Sequence, residues 1–181
     1  MDSLLDTAKQ DIQEKLEWAK RSFQKLQKNK NDYSEIKDNF WSFLSAFQQS
    51  LNYYNKFIEE SKSYKSKNQL KKTKKELINN WKSKMLTNDE NVAWEVLNKL
   101  RNHDTHNNPV QPNYEIKLML CVDDDESVFL DYDGVPFVIP SKRIGLYYDN
   151  KKYDIEYLCQ NGIISIEKLI EDLQAIFPQE K

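Results

Sequence analysis

The sequence predicts an α+β protein. An N-terminal antiparallel four-helix bundle is expected over residues 1–108, and a small antiparallel β extension with a C-terminal helix over residues 109–181. Three observations carry that expectation. Apolar residues recur every three or four positions through the first hundred residues, the period of a helix buried on one side. After Asn107-Asn108-Pro109 the period changes to two, the pattern of half-buried strands. All three glycines, Gly134, Gly145 and Gly162, follow that boundary, so the helical part lacks the glycine loops that cradle nucleotide phosphates.

The first helix is expected over residues 2–30, with Leu5, Ala8, Ile12, Leu16, Ala19, Phe23 and Leu26 on one face and Asp2 or Ser3 as N-cap. NKNDYS breaks the pattern. A second helix follows over residues 33–61, its stripe made of Ile36, Phe40, Phe43, Leu44, Phe47, Leu51, Tyr54, Phe57 and Ile58. Neither segment contains Pro or Gly, so an antiparallel helical hairpin is the natural product. Residues 61–85 hold nine lysines and one acid, Glu76. Leu70, Leu77, Ile78 and Trp81 make the later part a helix with one buried side. A fourth helix is expected over residues 87–104. Thr87, Asn88 or Asp89 is its cap, Glu90 stands near the third position, and Val92, Ala93, Val96, Leu97 and Leu100 face the core. Pro109 biases Asn108 away from helical geometry and ends it. Beyond the linker NNPVQPN, residues 114–122 and 127–132 read as one hairpin, and residues 143–148 and 153–159 as a second. An amphipathic helix over residues 164–177 closes the chain, with Ser165 as its expected N-cap.

A hydrophobic fraction of 39% and a charged fraction of 31% suit helices with long solvated faces, and 22 aromatic residues supply a core. Cys121 and Cys159 are not in a CxxC pair and lie in apolar or aromatic runs. Both are expected to be buried thiols of a reducing compartment. MDSLLDTAKQ lacks the basic and apolar regions of a signal peptide, and no stretch approaches 18 consecutive apolar residues. A cytoplasmic protein without a membrane span is expected. The net charge of −2 hides an asymmetry: residues 1–108 carry 20 Lys+Arg against 15 Asp+Glu, and residues 109–181 carry 7 against 14. The basic part suits a polyanion, and the acidic part a protein partner. In the lysine-rich run, Lys71, Lys72, Lys74 and Lys75 are candidate RNA contacts. The plain alternative for such a run is a solvated face.

The chemistry concentrates in LRNHDTHNNP, residues 100–109, which holds the only two histidines, His103 and His106. Two histidines at i, i+3 can share a metal when other ligands join them, but no third histidine and no Glu-x-x-His accompanies them. No metal or cofactor is expected. A nucleophilic Ser or Cys site is not recognisable either. Acid–base chemistry fits better. Histidine exchanges a proton at about pH 6.5, and a guanidinium grips a phosphate with two parallel hydrogen bonds. Arg101 and His106 are about 140° apart on an ideal helix, so they meet only where the helix ends or across a two-fold axis. His103, about 200° from Arg101, is the alternative base.

Arg101-Asn102-His103-Asp104-Thr105-His106 resembles the R-x4-H motif of the HEPN superfamily, in which the residue after Arg is commonly polar. The resemblance covers residues 1–108, an α-helical unit with the motif at the end of its last long helix. It implies a metal-independent endoribonuclease of the kind found in toxin–antitoxin modules, phage defence and CRISPR effectors. It further implies that His106 activates the ribose 2′-OH or protonates the leaving 5′-oxygen. Arg101 would hold the scissile phosphate and Asn102 would position either group. The products implied are a 2′,3′-cyclic phosphate and a 5′-OH, made in a site formed where two motifs meet in a homodimer. An antitoxin or other protein is the expected partner of the acidic part. The plain alternatives are an Arg101 that complements the helix C-terminal dipole and a His106 that caps the helix. A non-catalytic HEPN-like module that binds RNA or protein stays open beside the enzyme.

Overall fold

The computed structural model describes residues 2–29, 32–61, 67–105, 117–121, 143–148 and 151–173. They form a mostly helical α+β fold. Its elements are α1 (Asp2–Lys28), α2 (Tyr33–Ser61), α3 (Lys67–Met85), α4 (Asn88–Thr105), β1 (Lys117–Cys121), β2 (Arg143–Tyr148), β3 (Lys151–Asp154) and α5 (Ile155–Asp172).

The apolar stripes of α1 and α2 close on each other. Ala8, Ile12, Leu16, Ala19, Phe23 and Leu26 are buried, Leu5 is partly buried, and every member of the expected α2 stripe is buried. The helices run antiparallel, with Ser22 beside Ser42 and Lys15 beside Tyr53. The reversal is tight. The amide of Asp32 donates to the Asn29 carbonyl at 3.0 Å, and the Asp32 carboxylate caps α2 by accepting from the Glu35 amide at 3.2 Å. α3 joins the core through its C-terminal half, where Trp81 is buried and Leu77 and Ile78 are half-buried. The Trp81 ring leans on Trp94 at 5.8 Å between centroids, and Trp94 meets Phe47 edge-on at 5.7 Å. Leu70 lies outside the described side chains.

α4 opens with a reciprocal cap. The Glu90 amide donates to Thr87 Oγ1 at 3.3 Å, and the Thr87 amide donates to the Glu90 carboxylate at 2.9 Å. Ala93, Val96, Leu97 and Leu100 are buried as their spacing requires. Val92 is not: it is 38% exposed, and Trp94 is the buried aromatic of this helix.

The sheet is antiparallel in the order β1-β2-β3, with Leu120 opposite Ile144 and Leu146 opposite Tyr153. Ile144 and Leu146, two residues apart on one face, are buried. Tyr153 packs against the same core. The strand expected over residues 127–132 lies outside the described residues, and the described partner of β1 is β2.

The largest departure from the sequence reading is α5. Residues 153–159 were expected as a strand and residues 164–177 as the helix. The strand ends at Asp154 and the helix begins at Ile155. Asp154 is the N-cap: its Oδ1 accepts from the amides of Glu156 at 2.8 Å and Tyr157 at 3.1 Å. Ser165, the expected cap, is buried inside the helix and donates to the Asn161 carbonyl at 2.7 Å. Gly162 explains how the helix passes through a residue that favours breaks. A Cβ there would stand 2.5 Å from Leu97 Cδ1 and 3.6 Å from Phe43 and Phe47, so the missing side chain lets α5 sit close on α4 and α2. Leu158, Cys159, Ile163, Ile166 and Leu169 of α5 thereby share one continuous core with α1, α2 and α4. Among the described residues, no helix is long and apolar enough to cross a membrane.

Candidate functional site

Arg101 and Asn102 lie on the last turn and a half of α4, whose final residue is Thr105. His103 is on the same segment. The side chains of all three lie outside the described residues, as does His106, the next residue after the helix. The backbone register still sorts them. Arg101 is seven residues past Trp94 and four past Leu97, within about 20° and 40° of them on an ideal helix. It belongs to the sector of α4 that carries the buried residues. Asn102 is seven residues past Glu95 and belongs to the outer sector, where Lys99 is exposed. The start of α4 is fixed by the Thr87–Glu90 cap and by Lys168 of α5, whose Nζ binds both Glu90 oxygens at 2.9 and 2.7 Å.

The four candidate lysines stand on a different helix, α3. Lys71 lies outside the described side chains. Lys72 is exposed and pairs across one turn with Glu76 at 3.8 Å, and Lys75 is exposed. Lys74 turns inward to an ion pair with Glu59 of α2, and Lys82 to one with Glu95 of α4. Exposed pairs of this kind hold their partners weakly, so Lys72 remains available to an anion. Lys74 and Lys82 serve in part to tie α3 to the two helices beside it.

Cys159 is fully buried, and burial pushes its thiol pKa well above the ordinary value, with Glu156 and Asp154 adding to the shift. It is a packing residue, not a nucleophile. Cys121 lies outside the described side chains. Among the described residues, no group of three or more His, Cys, Asp or Glu is placed to hold a metal ion.

One concave feature was not anticipated. A groove between α1 and α2 is lined by Trp18, Arg21, Ser22, Lys25, Asn39 and Ser42. Its signal was present in the sequence as Trp18, Arg21 and Lys25 at helical spacing, but the apolar stripe on the other side of α1 is much stronger. The chain matches no family model, no curated protein and no solved structure in comparisons of each kind.

Proposed function

We propose that this chain is a metal-independent endoribonuclease of the HEPN type, a toxin or phage-defence effector acting on cytoplasmic RNA. The observation that carries the reading is the position of Arg101-Asn102 at the end of α4, with His106 following the helix's last residue. A helix terminus is where an arginine and a histidine five residues apart can converge, within one chain or with the copy from a second one. In this reading α1 to α4 correspond to an antiparallel four-helix bundle, with residues 109–181 as an extension whose acidic surface takes an antitoxin or another protein.

The reaction follows from the three side chains. The ribose 2′-oxygen attacks the adjacent phosphorus and the P–O5′ bond breaks. The 2′-OH loses its proton and the 5′-oxygen gains one, and His106 serves one of these transfers. The Arg101 guanidinium holds the two non-bridging oxygens as charge builds on them, and Asn102 orients the phosphate or the imidazole. Two motifs facing each other in a homodimer would supply one group for each proton. The test is RNA cleavage in EDTA by the wild type beside Arg101→Ala and His106→Ala. The reading expects both variants to be inactive while keeping their helical content. Undiminished cleavage by either removes it.

A second reading, an RNA-binding module without catalysis, draws on the exposed Lys72 and Lys75 of α3. It expects salt-sensitive binding and no cleavage by the wild type.

A further inference from the structure

The groove between α1 and α2 has the parts of a nucleotide subsite. It encloses about 340 Å³, at the small end of the ~300–1,000 Å³ usual for small-molecule sites. Its α1 wall is a single helical face: Arg21 and Ser22 stand three and four residues past Trp18, and Lys25 stands four past Arg21 and three past Ser22. Asn39 and Ser42 form the α2 side.

Most of these parts have unspent capacity. The Trp18 indole is 38% exposed. Lys15 fixes it, its ammonium lying 5.8 Å from the indole centroid and 5.9 Å from that of Tyr53, while Glu14 holds the ammonium at 2.7 Å. Arg21 donates from Nε to the Glu17 carbonyl at 3.3 Å. Neither Arg21 nor Lys25 is in an ion pair among the described residues. On the floor, Ser22 is 4% exposed and its Oγ lies 2.9 Å from Ser42 Oγ. Two hydroxyls bonded to each other use one of their two hydrogens, which leaves the second for an acceptor in the groove. Asn39 gives its amide hydrogens to the Glu35 carbonyl at 2.7 Å and the Glu35 carboxylate at 3.1 Å. Glu35 and Asp38 stand one turn before Asn39 and Ser42, so the α2 rim is acidic and an anion belongs on the α1 side, at Arg21 and Lys25.

We propose that this groove binds one nucleotide of a single-stranded RNA, its phosphate at Arg21 and Lys25 and its base against Trp18. This rests on reading the chain as a protein that acts on RNA. An aromatic plane beside two cations that form no ion pair among the described residues suits a base with its phosphate, whereas an acidic peptide would use the cations and leave the indole idle. None of its lining residues belongs to the Arg101 motif or to the α3 lysines, and the groove serves to hold substrate.

The test uses the full chain and a fluorescent 2′-O-methyl oligoadenylate, which cannot be cut through its 2′-oxygen. Binding is thereby measured whether or not the protein is a ribonuclease. Anisotropy titrations are expected to show binding that weakens about tenfold with Trp18→Ala, and by a similar factor with Arg21→Gln and Lys25→Gln together. Lys72→Gln with Lys75→Gln is expected to weaken it less. Arg21 and Lys25 are exposed, so their variants keep the fold. Three results would each overturn the proposal: no binding by the wild type, binding indifferent to the groove variants, or displacement of the probe by polyglutamate as readily as by RNA.

Discussion

Lys168 on α5 donates to both carboxylate oxygens of Glu90 at the start of α4, at 2.9 and 2.7 Å, and to the Met85 carbonyl at the end of α3 at 3.2 Å. One ammonium thus gathers the ends of three helices. Glu90 is 6% exposed and its carboxylate also receives the Thr87 amide, so the group is buried but satisfied. Removing Lys168 leaves a buried carboxylate short of its strongest donor. Lys168→Ala is expected to destabilise the protein by about 2 kcal/mol at pH 7, read from urea unfolding.

The same pair sets a pH dependence. Burial raises the Glu90 pKa, but the Lys168 and Thr87 hydrogen bonds outweigh it and hold the group below its ordinary 4.5. A carboxylate depressed in the folded state contributes stability that is complete above the unfolded value. That contribution is lost as pH falls through the folded value. The gap between wild type and Lys168→Ala is therefore expected to be constant from pH 6 to 8 and to shrink below about pH 4.5. Unfolding curves at pH 7 and pH 3.5 measure it, and an equal gap at both would show that Glu90 is not the partner that matters.

Close approach at Gly162 gives a packing prediction. Leu97 is fully buried and has little room to yield to a new side chain on α5. Gly162→Val is expected to cost about 1–3 kcal/mol by overpacking, against the usual gain from replacing a helical glycine. An increase in melting temperature would show that α5 and α4 are further apart than described.

The start of α5 is tested by its cap. Asp154→Ala is expected to cost about 1 kcal/mol, because two amides of the first turn lose their acceptor. Neutral behaviour at Asp154 would return the helix start to Ser165.

These elements show where the sequence was readable. The stripes of α1 and α2 could be assigned residue by residue, because two long faces with no glycine or proline leave one way to bury them. The cap of α4 was legible as one of Thr87, Asn88 or Asp89 with Glu90 near the third position, and the structure selects Thr87. α5 was not. YDIEYLC alternates like a strand, and Gly162 reads as a break until Leu97, sixty-five residues earlier in the chain, is seen to occupy the space beside it. Val92 is exposed where its spacing predicts burial, and Trp94 is buried because α3 brings Trp81 to that side of α4, a tertiary contact that periodicity does not contain. For the candidate site, the sequence supplied the motif and the structure supplies the helix that carries Arg101 and Asn102. His106 lies outside the described residues.

The lysines of α3 make a separable prediction. If Lys72 and Lys75 each meet a phosphate, Lys72→Gln with Lys75→Gln is expected to weaken RNA binding evenly across sequences. It should also lower the slope of log affinity against log salt by about 2. Titrations at three salt concentrations measure that slope. An unchanged slope would place the RNA elsewhere on the protein.

The central claim is the chemistry assigned to Arg101, Asn102 and His106, and the ends of the cleaved RNA test it most directly. Wild-type protein incubated with single-stranded RNA in EDTA is predicted to leave 2′,3′-cyclic phosphate and 5′-OH ends by mass spectrometry, with no product from His106→Ala. Products ending in 3′-OH and 5′-phosphate, or equal cleavage by His106→Ala, would contradict it.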